Sequence, residues 1–277
     1  MYLSYYGLKE NPFNVTSDPS FLYLSHTHKE ALDHLLFGID RRKGFIEITG
    51  EIGCGKTTLC RALLSRLDTT VKTSVIFNST LPEAQLLEAI VEDFGLKPEK
   101  RGKGASIMAL NRFLLEQLRE GNNAVLIIDE AQNLRPTALE TIRMLSTLET
   151  EKEKLLQIIL VGQPQLIKKL DSPGLEQLKQ RISVRFHVKP LEPGEISNYI
   201  DYRLRIAGSD GKIKFLPETI DSICAYTKGV PRLINLLCDK ALLLGFVRET
   251  STIDPDMIQM GIEEIEGLII VNSGGKK

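Results

Sequence analysis

Gly50-Glu51-Ile52-Gly53-Cys54-Gly55-Lys56-Thr57-Thr58 is the most informative stretch of this 277-residue chain. It follows an apolar run at residues 45–49 and leads into an amphipathic segment at residues 59–64. The spacing G-x4-G-K-T is the P-loop pattern, in which glycines let the backbone turn and point its N–H groups at phosphate oxygens. The helix that follows adds the positive end of its dipole. We therefore predict that residues 50–58 bind a nucleoside triphosphate.

Two side chains of this loop have specific expected roles. Lys56 is expected to reach the β- and γ-phosphates, and the Thr57 hydroxyl is expected to ligate a magnesium ion that these phosphates share. The rest of the loop, including Glu51, Ile52, Cys54 and Thr58, is expected to contribute backbone contacts to the nucleotide.

An acidic pair follows a second apolar strand. Residues 124–128 form an unbroken apolar run, as expected for a parallel strand covered on both faces, and Asp129 and Glu130 come directly after it. Paired with a P-loop, this pattern is a Walker B motif. Asp129 is expected to hold the magnesium ion through water, and Glu130 to orient and polarise the attacking water.

Gln163 follows the strand predicted at residues 155–161. If that strand lies between the P-loop strand and the Walker B strand, the Gln163 side chain is placed to sense the γ-phosphate. The alternative is a plain turn residue, and the sequence leaves both interpretations open.

Composition limits the classes of partner. The chain has 35 Lys and Arg against 36 Asp and Glu, so its net charge of −1 provides no general attraction to nucleic acid. A local basic loop at residues 97–104 remains, and a solvated surface loop is its simpler interpretation. The four cysteines form no C-x-x-C pair and do not cluster with histidines at metal-ligand spacing, which favours reduced thiols in a cytosolic protein. We find neither a signal peptide nor a transmembrane segment in the sequence.

The sequence predicts two domains. Residues 1–190 are predicted to form a three-layer α/β domain with a five-stranded parallel sheet, in which residues 1–24 are an arm laid over the core. From residue 191 the pattern becomes wholly helical, with a proline near each helix start. Residues 191–270 are therefore predicted to form a four-helix lid, and residues 271–277 a disordered tail.

Three arginines are candidates for contacts with the nucleotide. Arg232, in Gly229-Val230-Pro231-Arg232, opens the third predicted lid helix and is placed to reach back to a nucleotide from a mobile lid. Arg181 and Arg185 both lie in the segment that leads into the last predicted strand, at residues 186–189. For these two, a solvated side chain or a salt bridge within the subunit is the alternative.

Several classes of P-loop protein do not fit the sequence. The chain has no N-K-x-D segment, and Ile159 stands where a GTPase would carry an aspartate. The Asp-Glu pair and the helical carboxyl-terminal region argue against a small-molecule kinase, and the ATP-binding-cassette signature is absent. An additional-strand ATPase remains.

The order of motifs resembles the AAA+ superfamily. More narrowly, the chain resembles the secretion ATPases of the GspA/ExeA kind from residue 2 to about residue 268. The stretches that carry this narrower resemblance are Tyr6-Gly7-Leu8, Asn11-Pro12-Phe13, Gly44-Phe45-Ile46, Gly162-Gln163-Pro164 and Tyr199-Ile200-Asp201-Tyr202-Arg203-Leu204.

This resemblance implies that the nucleotide is ATP, that Mg²⁺ is the metal, and that the reaction yields ADP and phosphate. It also implies an ATP-dependent homo-oligomer in which an arginine of one subunit contacts the nucleotide of the next. Arg181 lies where the resembling families carry that arginine, and Arg185 is the second choice. Glu130, Lys56 and Gln163 complete the expected catalytic set.

The resemblance further implies a cytoplasmic protein that reaches the inner membrane through a partner protein. Members of that kind serve the type II secretion pathway or pilus systems, where they help a partner assemble the outer-membrane secretin. They continue into a transmembrane helix and a periplasmic region, so this chain is either an ATPase-only relative or a cytoplasmic fragment. The same motifs also resemble DNA-binding ATPase regulators of transposition, which is the alternative function. The net charge of −1 argues against DNA as a partner without excluding it.

Overall fold

The computed structural model describes residues 2–77, 79–98 and 102–273. By its contacts the chain divides into two units. The α/β unit comprises residues 26–52 and 56–189, and the helical unit comprises residues 1–25, 53–55 and 190–277.

The secondary structure alternates along the first two thirds of the chain. The helices of the described residues are α1 (Tyr2–Tyr5), α2 (His26–Asp40), α3 (Lys56–Leu64), α4 (Glu83–Asp93), α5 (Lys103–Arg119), α6 (Pro136–Leu145), α7 (Gln165–Leu170), α8 (Glu176–Arg181), α9 (Pro193–Ile206), α10 (Pro217–Thr227), α11 (Pro231–Val247) and α12 (Pro255–Ser273). The strands of the main sheet are β1 (Phe45–Gly50), β2 (Val71–Ile76), β3 (Asn123–Ile128), β4 (Gln157–Gly162) and β5 (Ile182–Val188).

The α/β unit is built on one parallel sheet with the strand order β2-β3-β4-β1-β5. Every residue of β1 and β4 is buried, as required of strands covered on both faces. On one face, Leu126, Ile158 and Leu160 belong to the core that includes α4, α5 and α6. On the other, Gly38 of α2 approaches Ile46 so closely that an added Cβ would lie 2.5 Å from Ile46 Cδ1. The predicted three-layer fold is confirmed.

The last strand begins earlier than predicted, at Ile182 instead of residue 186. Ile182, Val184 and Val188 are buried, and this alternation is the signal of a half-covered edge strand. Ser183 secures the start of the strand, because its hydroxyl donates to Lys43 O at 2.7 Å. Polar side chains between the buried positions make this alternation visible in the sequence, and the prediction missed it.

The sheet brings the predicted motifs to one edge. In a parallel sheet all strands end at the same edge, so the loops after β1, β3 and β4 lie side by side. β4 lies between β3 and β1, as the interpretation of Gln163 required. Arg181, by contrast, precedes β5 and therefore lies at the opposite edge.

The helical unit contains α9 to α12, and each of these helices begins at a proline, the residue that starts a helix most readily. Two short strands, β6 (Lys214–Phe215) and β7 (Thr252–Ile253), pair in parallel between them. The sequence did not predict this pair, because two residues are too few to show a period. The last helix continues to Ser273, so the prediction of disorder from residue 271 is wrong for residues 271–273. Residues 274–277 lie outside the described residues.

The amino-terminal arm packs within the helical unit. Tyr6, Phe13 and Phe21 are buried in its core, so Phe13 serves core packing. The grouping of this arm with the nucleotide-binding domain is therefore corrected. Aromatic residues predict that a segment packs, but they do not say against which surface.

Arg203 of α9 fixes the arm in place. Its side chain is buried, and its Nε and Nη2 atoms donate to Pro12 O at 2.5 Å and Asn14 O at 2.9 Å. The guanidinium also lies 4.8 Å from the centre of the Phe21 ring, within cation–π distance. One buried cation thus holds three points of the arm.

Within the described residues, no helix is both long enough and apolar enough to cross a membrane.

Candidate functional site

Lys56 is buried at the start of α3 and is held by the loop that precedes it. Its ammonium group donates to Gly50 O at 2.8 Å and to Glu51 O at 2.9 Å. Gly50 passes so close to β5 that an added Cβ would lie 2.6 Å from Val188 O. A side chain at position 50 would therefore displace the start of the loop, which explains the first glycine of the motif.

The tip of the loop, Gly53 to Gly55, belongs to the helical unit by its contacts. Gly53 and Gly55 have φ angles of 83° and 84°, which favour glycine. Within the helical unit, the Arg232 N–H donates to Gly53 O at 3.2 Å. The backbone of Arg232 therefore contacts the tip of the loop, and a role for its side chain at the nucleotide stays a prediction.

Thr57 and Asp129 meet at the edge of the sheet. The Thr57 hydroxyl donates to Asp129 Oδ2 at 2.6 Å, and the aspartate is 3% exposed. The other carboxylate oxygen of Asp129 accepts from the Glu130 N–H at 2.8 Å. A hydroxyl and a carboxylate are the oxygen donors that Mg²⁺ takes, and this ion keeps water and phosphate as its other ligands. The pair fits a magnesium ion that arrives with a nucleotide.

Among the described residues, no cluster of three or more His, Cys, Asp and Glu side chains is arranged to hold a metal ion.

Glu130 has a left-handed backbone, with φ 52° and ψ 36°. A non-glycine residue in this region costs of the order of 1–3 kcal/mol, so neighbouring contacts must hold it. The Ser79 hydroxyl donates to Glu130 O at 2.7 Å, and the Asn133 N–H donates to the same oxygen at 2.9 Å. The strand thus turns sharply at its end and presents the carboxylate beside Asp129.

The Glu130 carboxylate is bound by two glutamines. Gln163 Nε2 donates to Glu130 Oε2 at 3.1 Å, and the Gln132 carboxamide donates to the same oxygen. Gln163 is therefore more than a turn residue, because its side chain joins the end of β4 to the acidic pair. The α/β unit brings together Lys56, Thr57, Asp129, Glu130 and Gln163.

Comparison with known proteins identifies the kind of domain to which this site belongs. Residues 39–170 match the family described as AAA domain. The chain is also 40% identical over 270 residues to general secretion pathway protein A of Aeromonas hydrophila. Residues 39–170 therefore form an AAA domain. The aligned region covers 97% of this chain and 49% of that relative, so the chain spans about half of the relative's length.

Solved structures share the AAA+ fold. The ORC2 protein of Aeropyrum pernix, in its ADPNP-ADP complexes, superposes with a TM-score of 0.66 over 88% of this chain and 70% of that chain, at 17% identity. The RuvB branch migration motor of Thermotoga maritima gives a TM-score of 0.56 over 85% of this chain and 67% of that chain, also at 17% identity. At this identity the likeness shows the fold alone. The P-loop AAA+ fold implies nucleotide binding.

The two candidate trans-acting arginines of this chain have different surroundings. Arg185 lies in β5, where its Nε is 3.4 Å from Glu47 Oε2 and its Nη2 donates to Lys179 O at 3.0 Å. Arg181 ends α8 and, within the described residues, makes hydrogen bonds with Ser146 at 3.3 and 3.4 Å. It lines a cavity of about 420 Å³ together with Lys43 and Lys154. Arg185 thus pairs with a buried acid, and a role for either arginine between subunits stays a prediction.

Four residues near the site were not predicted from the sequence. Gln132 and Ser79 hold Glu130, Lys169 donates to Gln132 O, and Glu47 pairs with Arg185. Only Gln132 had a visible signal, because it ends the stretch Asp129-Glu130-Ala131-Gln132.

The predicted basic loop is shorter than expected. Lys103 begins α5 and forms an ion pair with Glu83, and residues 99–101 lie outside the described residues. This ion pair neutralises one of the positive charges in the loop that could have bound DNA.

Proposed function

We propose that this chain binds ATP with Mg²⁺, hydrolyses it to ADP and phosphate, and uses nucleotide-dependent self-association to drive assembly in a bacterial secretion or pilus system. One observation carries the proposal: the Thr57 hydroxyl lies 2.6 Å from the Asp129 carboxylate, and Glu130 follows directly. The residue that would share a metal with the phosphates is thus joined to the acidic pair that would activate water.

The chain's own residues divide the work. Lys56 and the start of α3 bind the phosphates, with the lysine leaving its loop carbonyls to do so. Glu130 accepts a proton from the attacking water as the new P–O bond forms and the bond between the β-γ bridging oxygen and the γ-phosphorus breaks, with ADP as the leaving group. Magnesium, when bound, supplies positive charge to the phosphates. Gln163 donates one side-chain N–H to Glu130, and its second side-chain N–H orients the transferred phosphate.

Arg181 supports self-association. It precedes β5, whereas Gly50 pairs with Val188 at the other end of that strand. Seven residues of β-strand span about 20 Å, so Arg181 cannot reach the phosphates bound in its own subunit. An arginine placed at this edge acts on the nucleotide of a second copy. Lys43 lines the same cavity, and so does Lys154, which is paired with Glu149.

The role in secretion rests on the 40% identity to general secretion pathway protein A. Attachment to the inner membrane through a partner protein belongs to the same proposal. The DNA-associated alternative is not favoured, since the net charge is −1 and Lys103 is paired with Glu83.

The test of hydrolysis compares Lys56→Ala with Glu130→Gln. We expect Lys56→Ala to lose tight ATP binding, and Glu130→Gln to bind ATP normally while kcat falls about a hundredfold or more. Fluorescence titration with an ATP analogue and a phosphate-release assay measure the two effects. Glu88→Gln, at an exposed position of α4, is the matched control. Unchanged turnover in Glu130→Gln would remove this residue from the mechanism.

The test of self-association uses mixed oligomers. Arg181→Ala should bind ATP and hydrolyse it about a thousandfold more slowly, because only the charge supplied to the neighbouring site is lost. Mixing it with Lys56→Ala should restore part of the activity, since one interface then combines an intact P-loop with an intact arginine. Arg119→Ala, an exposed arginine of α5, is the control. If mixed oligomers form and no activity returns, Arg181 does not act between subunits.

A further inference from the structure

The carboxamide of Gln132 uses both of its ends at the candidate site. Its Nε2 donates to Glu130 Oε2, and its Oε1 accepts from the Gln163 N–H at 3.0 Å. The side chain of Gln163 returns to the same Glu130 oxygen at 3.1 Å. The three residues therefore form a closed ring of hydrogen bonds between the end of β3 and the end of β4.

The surroundings leave Gln132 little freedom. An added Cβ on Gly162 would lie 2.8 Å from Gln132 Oε1, so a side chain at position 162 would push the carboxamide away. The backbone of Gln132 is fixed as well, because the Lys169 ammonium donates to Gln132 O and, at 2.8 Å, to Leu134 O. Burial lowers the pKa of Lys169 from its usual value. The carboxamide is thus held from the backbone side and from the side of β4.

The ring determines which atoms remain available for chemistry. In the part of the chain that the structure describes, both hydrogen bonds to the Glu130 carboxylate end on Oε2. Oε1 is then the oxygen that can accept a proton from water. A carboxamide carries two N–H groups, and Gln163 uses one of them on Glu130. The second N–H can contact a phosphate oxygen. The ring then fixes the distance between this phosphate contact and Glu130 Oε1, which accepts the proton from water.

We propose that Gln132 is a positioning residue that sets the Glu130 carboxylate and the Gln163 side chain in one geometry for hydrolysis. This inference rests on the proposed ATPase function. Gln132 contacts neither water nor phosphate in the proposed reaction, and it acts through its two neighbours.

Two substitutions separate positioning from packing. Gln132→Met keeps the length of the side chain and removes both hydrogen bonds. Gln132→Glu keeps the shape but places a second carboxylate against Glu130. We expect kcat to fall about a hundredfold in both, with the Kd for ATP changed less than about threefold, since misplacement of a reacting group by about 1 Å has this effect. Gln85→Met, at an exposed position of α4, is the control.

The pH profile gives a readout that packing alone would not move. A protonated carboxyl can donate as the carboxamide does, whereas a carboxylate cannot. The kcat of Gln132→Glu relative to that of Gln132→Met should therefore rise by about tenfold as the pH is lowered from neutral towards the range where carboxyl pairs take up a proton. A constant ratio across the profile, or wild-type kcat in Gln132→Met, would overturn the inference.

Hydrogen exchange distinguishes this inference from the proposed function. The Gln163 N–H should exchange at least about tenfold faster in Gln132→Met than in the wild type, as followed by NMR, because its acceptor is gone. Unchanged exchange overturns the inference, whatever the turnover. If exchange is faster in Gln132→Met and the wild type binds ATP without hydrolysing it, the contact is supported and the proposed function is overturned.

Discussion

Arg185→Ala should destabilise the α/β unit by removing the partner of a buried acid. Glu47 lies on β1, between β4 and the edge strand β5, and its side chain is 5% exposed. The Nε of Arg185 lies 3.4 Å from its carboxylate. Asp171 and Lys179, which pair with each other, are the other charged groups that act on Glu47. After the substitution the carboxylate would keep only these weaker influences.

The expected change in the free energy of unfolding follows from the exposed fractions of the Glu47 and Arg185 side chains. Breaking a fully buried pair costs about 3–5 kcal/mol, whereas an exposed pair contributes about 0.2–1 kcal/mol. Glu47 is buried but Arg185 is 43% exposed, so water screens the pair in part. We therefore expect Arg185→Ala to lower the free energy of unfolding by about 2 kcal/mol at neutral pH. In a Glu47→Gln background the cost should fall to about 0.5 kcal/mol, because no charge is left unpaired.

The sign of the pH dependence is fixed by Glu47. Burial raises the pKa of Glu47 above its ordinary value of 4.5, and Arg185 opposes that rise. The contribution of Glu47 to stability is therefore full below about pH 4.5 and is lost as the pH rises through the folded-state pKa. Removing Arg185 raises this pKa further. The cost of Arg185→Ala should thus be small near pH 4.5 and grow towards neutral pH.

Equilibrium urea unfolding, followed by circular dichroism at about pH 4.5 and about pH 7.5, measures this cost. Arg119→Ala serves as the control for the loss of an exposed arginine. An equal cost at both pH values, or an equal cost with and without Glu47→Gln, would refute the reasoning. A loss of ATP turnover in Arg185→Ala that follows the loss of folded protein would identify a stability effect.

Two further outcomes are expected. Arg203→Lys should lower the free energy of unfolding by about 1–2 kcal/mol and expose the arm to proteolysis, because an ammonium group cannot donate to the carbonyls of Pro12 and Asn14 as the planar guanidinium does. Urea unfolding and mass spectrometry of protease fragments measure these two effects. An unchanged cleavage pattern would contradict the prediction. Duplex DNA should bind weakly at physiological salt in fluorescence anisotropy, because the net charge is −1; ATP-dependent nanomolar affinity would instead support the transposition regulator.

The sequence predicted the parts of the site that local pattern determines. The P-loop, the apolar run before Asp129 and the prolines that open the lid helices are each short signals with one physical cause. Because parallel strands end at one edge, the meeting of Thr57, Asp129 and Gln163 could also be expected. These features need only the order of elements along the chain.

Other features depend on contacts between distant residues. Whether the arm packs on α9 or on the sheet is decided by Arg203, which lies about two hundred residues later and carries no local mark of this role. The bridge from Gln132 to Gln163 depends on how β3 and β4 are placed side by side. The early start of β5, by contrast, carries a local signal, the alternation of apolar and polar residues from Ile182, which the prediction missed.

The left-handed backbone at Glu130 makes stability and the proposed activity oppose each other at one position. Glycine takes this conformation freely, whereas for any other L residue it costs about 1–3 kcal/mol. Glutamate is therefore a poor choice for the backbone and the required choice for the proposed chemistry. A redesign that selected residues for conformational preference alone would replace the one side chain that the proposed reaction uses as its base.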